Sequence, residues 1–570
     1  MQGPSDTHNI RKLKPILKEA EEWRVKHGVQ FEPTKYILVH FTRNRKRPTE
    51  ATLRINDTTV KPSEEAKYLG VIFDQELRYK SHLQRLTRKG TAAALALSSI
   101  AKGSTGMHFR YVRQLFQAVI SASTDYGAVV WHRPRQDGTA ASTAQMKNLT
   151  TIQRLAMIAT TGCYRTTPTA ALEIESDLQP AWIRLQTKVL LAVTRMQSLS
   201  SLHPIHEWIL RALRTRTSSI RHRSNLEHVF QHFPQLTAEI ETIEPFIRPP
   251  WWTSRIQIQI AEDKDSAKKQ HEHITAEMAN ALPTYTDGSG IEGKIGAAAC
   301  SGHRTGTQHL GNDKQFNVYA AELTAMNLAV ELAEENVEHT TWHIFADSQA
   351  AIRGIQKPRK QSGQSIIKEF LDMTDRATEE NPQLQIRMTW IPGHANIEGN
   401  EQADEEAKKA AIDPTVGRRF KYKPLKSARI RQIKAEAKQQ WSNMWNNNVR
   451  TAHGLRRSMK TRGFKTGSKF YNHITSRKTA AMLTRLRTGH CGLKQYLYRF
   501  KRADSPYCDC GDGKETVEHY LLECTLHREA RNILRRNVGA GKMRVPSLLG
   551  QPKLIKHTME FITSTKGMQI

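Results

Sequence analysis

Tyr285-Thr286-Asp287-Gly288-Ser289, Ala320-Ala321-Glu322-Leu323, Phe345-Ala346-Asp347-Ser348-Gln349, Trp390-Ile391-Pro392-Gly393-His394 and Glu398-Gly399-Asn400-Glu401-Gln402-Ala403-Asp404 are the stretches on which the fold turns. Around them, strand signals fall at Leu282–Asp287, Ile295–Ser301, Gln308–Gly311, Thr340–Asp347 and Leu384–Ile391. Helical periodicity covers Val318–Val337, Ser348–Ile355, Ser365–Thr378 and Glu401–Ala411. Three strands come first, then strands and helices alternate, which predicts an α/β domain over 281–412 with a mixed five-stranded sheet. Val318, Ala321, Ala325, Leu328 and Leu332 recur at three- and four-residue steps and would lie on that sheet, with Glu322 at the edge of the stripe.

Asp287 and Asp347 end predicted strands, where α/β sheets usually build their sites, and Asp404 lies in the first turn of the last helix. Four acids converging at one sheet end would repel one another unless divalent cations neutralise them, and an all-oxygen set suits Mg2+ or Mn2+. Two such ions can activate a water and stabilise a leaving oxygen in phosphodiester hydrolysis. Taken singly, each acid has a duller reading: a turn residue for Asp287, a helix cap for Asp347, solvated helix acids for Glu322 and Asp404. The joint order, with a Gly393-His394 loop before the last helix, favours a site.

These motifs resemble those of the type 1 ribonuclease H domains fused to reverse transcriptases in retroelements, over the whole of 281–412. The resemblance implies a nuclease that cuts the RNA strand of RNA–DNA hybrids. Asp287 would contact both metals, Glu322 and Asp347 would complete one, and Asp404 the other. His394 would sit on a mobile loop aiding metal exchange and departure of the cleaved phosphate, and Ser289 and Gln349 would make the minor-groove contacts that sense the RNA 2′-hydroxyl. Asn317-Val318-Tyr319 departs from the asparagines with which many stand-alone ribonucleases H grip the hybrid, so flanking basic residues would have to compensate.

Those flanks are basic indeed: Lys and Arg number 86 against 55 Asp and Glu, a net charge of +31 that calls for a polyanionic partner. At 570 residues the chain should hold several domains. Residues 1–135 alternate helical and strand-like patterns, with helices expected at Asn9–His27 and Ser81–Ile100 and extended runs at Tyr36–Phe41 and Tyr68–Phe73. The runs Tyr36-Ile37-Leu38-Val39-His40-Phe41 and Lys67-Tyr68-Leu69-Gly70-Val71-Ile72-Phe73-Asp74 resemble the end of the reverse-transcriptase palm of non-LTR (LINE-like) retrotransposons, followed by thumb-like helices. No Asp-Asp dipeptide occurs, so the resemblance implies a truncated palm without polymerase chemistry, which a partner reverse transcriptase would have to supply.

Residues 136–250 read as a helical connector, 251–280 as a polar linker after Pro249-Pro250, and 413–502 as a basic helical segment with 24 Lys and Arg against 2 acidic residues. Its cations interleave with Phe420, Tyr422, Trp441, Trp445, Phe464, Phe470, Tyr471, Tyr496 and Phe500, a mixture suited to binding RNA or single-stranded DNA by charge and stacking, or equally to an ordinary aromatic core under a basic face. In 503–530, Cys508, Cys510, His519 and Cys524 have the softness and count of a structural Zn2+ site, with His527 as a substitute ligand, and LINE-like proteins often end in a similar zinc knuckle. Residues 531–570 form the tail. The polar Met1–Ile10 lacks the look of a secretory signal and no apolar run is long enough for a membrane span, so an intracellular protein is expected, nuclear if the element is active. The functional expectation is a ribonuclease H; the competing one is a non-catalytic nucleic-acid-binding remnant.

Overall fold

The computed structural model describes residues 3–42, 44, 46, 49–102, 106–135, 143–215, 224–278, 281–335, 339–415, 420–447, 453–459, 466–471, 474 and 476–565. Val337 and Phe464, named above, lie outside them. Two compact units result: Thr187–Gln439, and a second made of Met1–Gln186 together with Gln440–Ile570. No described helix is long and apolar enough to cross a membrane.

In Thr187–Gln439 the sheet has six strands rather than the five expected. They are β1 Gln257–Gln259, β2 Ala281–Ile291, β3 Lys294–Ser301, β4 Arg304–Asn312, β5 Thr341–Ala346 and β6 Gln385–Trp390, in spatial order β1-β6-β5-β2-β3-β4. β2, β3 and β4 are antiparallel neighbours, while β1, β6, β5 and β2 run parallel. From the sheet onward the helices are α1 Lys264–Ala276, α2 Val318–Glu334, α3 Gln349–Gln356, α4 Gln364–Glu380, α5 Glu398–Ile412 and α6 Lys426–Asn447, and the helices Ile205–Arg214 and Asn225–His232 precede it. Small residues set how closely helices approach the sheet. Register puts Gly288 beside Ala297 and Ser289 beside Gly296. A Cβ on Gly288 would meet the Glu322 amide nitrogen at 2.4 Å, and one on Gly296 the Ala411 nitrogen at 2.2 Å. Since side chains alternate between the faces of a strand, α2 and α5 press on opposite faces of the same two strands.

The stretch 251–280 is therefore not a linker. Ile256 and Ala267 belong to the buried core of this unit, and β1 extends the sheet beyond β6. Gln257-Ile258-Gln259-Ile260 alternates polar and apolar as a half-buried edge strand does, and Asp263 caps α1 by accepting from the Ser266 amide at 2.8 Å. The end of the helical connector is tied in as well. Buried Glu241 accepts from the backbone nitrogens of Gly363 and Lys426, both at 2.7 Å, and from the Ser362 hydroxyl. Leu425 and Ala428 also join the core, with Phe420 and Tyr422 packed against it.

The other unit has the predicted helices, at Asp6–His27 and Lys80–Ile100, and short hairpins in place of longer runs. Tyr36–Phe41 contributes a single bridge, Leu38 to Pro62, and Tyr68–Phe73 is split by a turn at Leu69-Gly70 into Glu65–Tyr68 and Val71–Asp74. Its core draws on both ends of the chain: Phe109 packs with Tyr471, Leu483, Leu486, Tyr520, Leu548 and Phe561. Arg487 and Glu175, 312 residues apart, form a fully buried pair, with Arg487 Nη2 to Glu175 Oε1 at 2.7 Å and Nε to Oε2 at 3.0 Å. The Tyr471 hydroxyl donates to the same carboxylate, and Arg487 also donates to the Leu549 carbonyl. Arg477 donates to the carbonyls of Ala159 and Thr160 at the end of the helix Thr143–Thr161, where a cation meets the negative end of the helix dipole.

The basic stretch 413–502 is helical but not one segment, because the unit boundary falls at Gln440. Most of its aromatics are core residues. Trp441, Trp445, Phe470, Tyr471 and Tyr496 are buried, and among the described ones Phe500 is exposed. Base stacking is not available to the buried set, so the plainer reading of those rings holds.

Candidate active site and metal centre

The parallel ladder between β2 and β5 ends at Thr286 and Ala346, so Asp287 and Asp347 follow at its carboxyl end. β2 itself continues to Ile291 in the hairpin with β3, so Asp287 closes the ladder rather than the strand. Asp287 shares the α5 face of the sheet with Tyr285 and Ser289. Glu322 comes from the second turn of α2, whose start is fixed by Asn317 accepting from the Ala320 amide at 3.0 Å. One carboxylate oxygen from each of Asp287, Glu322 and Asp347 lies within 4.8 Å of the others.

Burial, and then the mutual repulsion of these acids, dominates the electrostatics. Asp287 is pushed up to about 7 by desolvation and by the charges of Asp347 and Asp404, against a lowering from Lys408 and the Gly288 amide. Glu322 is raised well above the usual carboxylate range for the same reasons, and Asp347 is raised by burial despite His394 nearby. Glu322 Oε2 is buried with no hydrogen-bond partner among the described residues. A buried carboxylate oxygen without a donor, beside two further acids, is the donor set of a hard divalent cation.

Asp404 stands outside the close trio, half-buried, with Lys408 Nζ 2.5 Å from its Oδ2. His394 is exposed at φ 54° on the loop Ile391–Ile397. That loop passes tightly over Asp347, since a Cβ on Gly393 would lie 2.6 Å from Asp347 Oδ2. Ser289 is buried, and Gln349 opens α3, its Oε1 accepting from Arg353 at 3.0 Å. Sequence reasoning missed Lys408, although its i,i+4 spacing from Asp404 was visible, and it missed α1.

In the other unit Cys508, Cys510, His519 and Cys524 bring their ligand atoms within 4.8 Å of one another. Cys508 and Cys524 sulfurs are 3.7 Å apart, close to the edge of a tetrahedron with bonds of about 2.3 Å. Cys510 Sγ is 3.2 Å from His519 Nε2, while His519 Nδ1 faces Glu523 at 3.5 Å, the outer carboxylate that often orients a metal-bound imidazole. Gly511, at φ 84°, makes the tight turn after Cys510. His527 does not join the set; its ring packs edge-on against Tyr520 and Phe561. Tyr520 and Leu521 sit in the unit's core, so these residues are a docked part of it and not a free-standing knuckle.

The mixed sheet carries helices on both faces and acids at the end of its parallel ladder. Residues 279–412 match the RNase H family model. A ribonuclease H of Salmonella arizonae is 28% identical over 153 residues, 24% of this chain and 94% of that protein. A putative 115 kDa protein of the type-1 retrotransposable element R1DM of Drosophila melanogaster is 21% identical over 165 residues, 29% of this chain and only 16% of that relative. Among solved structures, LC11-RNase H1, isolated from compost by a metagenomic approach, is 19% identical over 23% of this chain and 96% of its own, with a TM-score of 0.20. The RNase H1 of Halobacterium salinarum is 20% identical over 23% and 98%, with a TM-score of 0.18.

Proposed function

We propose that Thr187–Gln439 is a Mg2+-dependent ribonuclease that hydrolyses the RNA strand of RNA–DNA hybrids, in a protein of retroelement origin. The observation that carries this reading is the trio Asp287, Glu322 and Asp347 within 4.8 Å, where burial and mutual repulsion oppose the ionised acids and a cation would offset both. Asp287, Glu322 and Asp347 would hold one Mg2+, and Asp287 with Asp404 a second. Bound Mg2+ supplies a water of lowered pKa and offsets charge on the leaving oxygen. Ser289 and Gln349 flank the acids on β2 and α3, where they can meet the RNA strand, and the loop bearing His394 can follow the cleaved phosphate as it leaves. A relative, LC11-RNase H1, has been solved in complex with an RNA/DNA hybrid, which supports the substrate class. The basic residues of 413–502 that remain exposed would add phosphate contacts. No polymerase chemistry is assigned to residues 1–135.

A second reading, a nucleic-acid-binding domain that no longer cuts, has one observation in its favour: Asp404 is engaged by Lys408 and not by the other acids. Incubating the full chain with end-labelled hybrid, with and without Mg2+, separates the two. The nuclease reading expects internal cuts in RNA only and only with the cation. Binding without cuts in either Mg2+ or Mn2+ would leave the second reading standing.

Cys508, Cys510, His519 and Cys524 would hold one structural Zn2+. Burial pushes the metal-free Cys508 thiol up to about 12, so loading must release protons and should strengthen as pH rises. Elemental analysis is expected to find one zinc per chain. Chelation should make the three cysteines reactive to a thiol reagent while hybrid cleavage in excess Mg2+ persists, because the acids belong to the other unit. Purified chain without zinc, with the cysteines already reactive, would rule the site out.

A further inference from the structure

We propose that His271, on α1 upstream of the residues that the family model matches, is a positioning residue of the active site, acting through Tyr285 on the elements that carry Asp287, Asp347 and Asp404. The proposal rests on the hybrid-nuclease reading above. His271 Nε2 shares a hydrogen bond with the Tyr285 hydroxyl at 2.9 Å, and its ring meets Phe345 edge-on at 4.8 Å between centroids. Tyr285 stacks on Phe345 at 5.1 Å, and the two are register partners across β2 and β5.

These contacts reach every acid-bearing element except α2. Tyr285 stands two residues before Asp287 on one face of β2, and Phe345 stands two before Asp347, which directly follows β5. On α5, five residues before Asp404, Gly399 lies so close to the Tyr285 ring that a Cβ there would be 2.3 Å from it. Ile274 further along α1, and Met278 just after it, pack on Phe345, Ile391 and Ile397, the last two bracketing the loop that carries His394.

A leucine would fill the α1 stripe between Ala267 and Ile274 as well as histidine does, if packing were all that mattered. Histidine instead places a polar group against an aromatic layer that also holds His343, stacked on Phe345 at 4.5 Å, and a buried polar group is costly unless it is hydrogen-bonded. Its one described bond is to Tyr285. The Tyr285 ring is wedged between Phe345 and Gly399, so the hydroxyl is the handle by which its tilt, and hence the spacing of β2, β5 and α5, is set. Outer groups of this kind are worth about 10- to 100-fold in metal affinity or activity.

The test uses the full chain with His271→Phe, which keeps a ring against Phe345 but loses the hydrogen bond, and with His271→Gln and Tyr285→Phe. Two quantities are read: kcat and KM on labelled hybrid at saturating Mg2+, and Mg2+ affinity without hybrid by calorimetry. His271→Phe is expected to lower kcat about tenfold and weaken Mg2+ binding at least roughly threefold, with KM for hybrid unchanged. His271→Gln should recover most of both. Tyr285→Phe should match His271→Phe, and the double variant should lose no more than either. A lowered melting temperature with kcat and Mg2+ affinity intact would overturn the proposal, since a purely structural brace predicts that pattern. Should His271→Phe fail to fold, Tyr285→Phe decides, and wild-type kcat in it overturns the proposal. If the wild-type chain cuts no hybrid, the nuclease reading fails, and the calorimetry alone judges His271: equal Mg2+ affinity in His271→Phe and wild type rejects it.

Discussion

Asp287→Asn is expected to abolish cleavage of RNA–DNA hybrid, by roughly a thousandfold or more, while the fold and the binding of hybrid persist. The amide is nearly isosteric, so the packing of β2 against α5 is undisturbed, but the charge that would bridge two cations is gone. Losing that charge stabilisation can raise the barrier by about 4 kcal/mol, which sets the size of the effect. The same substitution should stabilise the metal-free protein. Asp287 titrates near 7 in the fold against 3.8 for the free side chain. It is neutral in both folded and unfolded chains below about pH 4, so no penalty exists there; as pH rises towards 7 and beyond, the unfolded chain ionises freely and the folded one at a cost. Stability of the metal-free wild type therefore falls across that window, and Asp287→Asn escapes a penalty on the order of 4 kcal/mol above it. Thermal melts in chelator at pH 5 and pH 8 should show the variant's advantage growing with pH, and Mg2+ should reverse the order. His394→Ala should be milder, slowing turnover but sparing single-turnover cleavage, because a loop histidine that follows the product holds no cation. Wild-type cleavage by Asp287→Asn would end the two-cation reading.

Arg487→Met is expected to unfold the unit built from the chain ends while sparing the nuclease. Both side chains of the Glu175–Arg487 pair lack exposed surface, so removing the cation strands a buried carboxylate that still accepts from Tyr471. Breaking such a pair costs about 3–5 kcal/mol, a large part of the roughly 5–15 kcal/mol that holds a domain together. Replacing both partners, as Glu175→Leu with Arg487→Met, should be far milder, because no charge is left uncompensated. Hydrogen exchange provides the measurement. Protection should collapse in Thr169–Ser176 and Arg477–Thr488 and persist in β2 and β5 of Thr187–Gln439. Uniform protection in Arg487→Met would show that the pair does not hold this unit.

The carboxylates were legible in the sequence because local pattern marks their neighbourhoods: the end of a parallel ladder for Asp287, the residue after a strand for Asp347 and a helix stripe edge for Glu322, whereas Asp404, expected in the first turn of its helix, lies in the second because α5 begins at Glu398. What pattern could not convey was distance between remote residues. Arg487 reads as one more cation in a basic run, and only the fold reveals Glu175 as its partner. Trp441, Trp445 and Tyr471 have the composition of a stacking surface and of a core alike, and burial chose the core. The edge strand β1 is three residues long and α1 is mostly polar, so 251–280 looked like a linker although Ala267, His271 and Ile274 form a narrow inward stripe. Tyr36–Phe41 had a strand's composition and no partner strand beyond the bridge at Leu38. Asp404 was placed correctly on its helix, but its pairing with Lys408 depends on side-chain rotamers that no periodicity reports.

The buried pair spanning 312 residues also constrains the order of events during synthesis. A ribosome emits Glu175 long before Arg487, so the first 186 residues must wait with a half-built core while the contiguous Thr187–Gln439 emerges and closes on itself. Loop closure over so long a span is entropically tolerable only because the intervening chain has already condensed, which shortens the effective tether. Nascent chains halted a ribosome tunnel's length beyond Gln439 should accordingly protect the nuclease from protease and leave the helices of 1–186 open, whereas chains halted the same length beyond Thr565 should protect both. Cleavage competence would then precede completion of the protein, and the waiting segment, with its exposed apolar stripe, would be the stretch most in need of a chaperone.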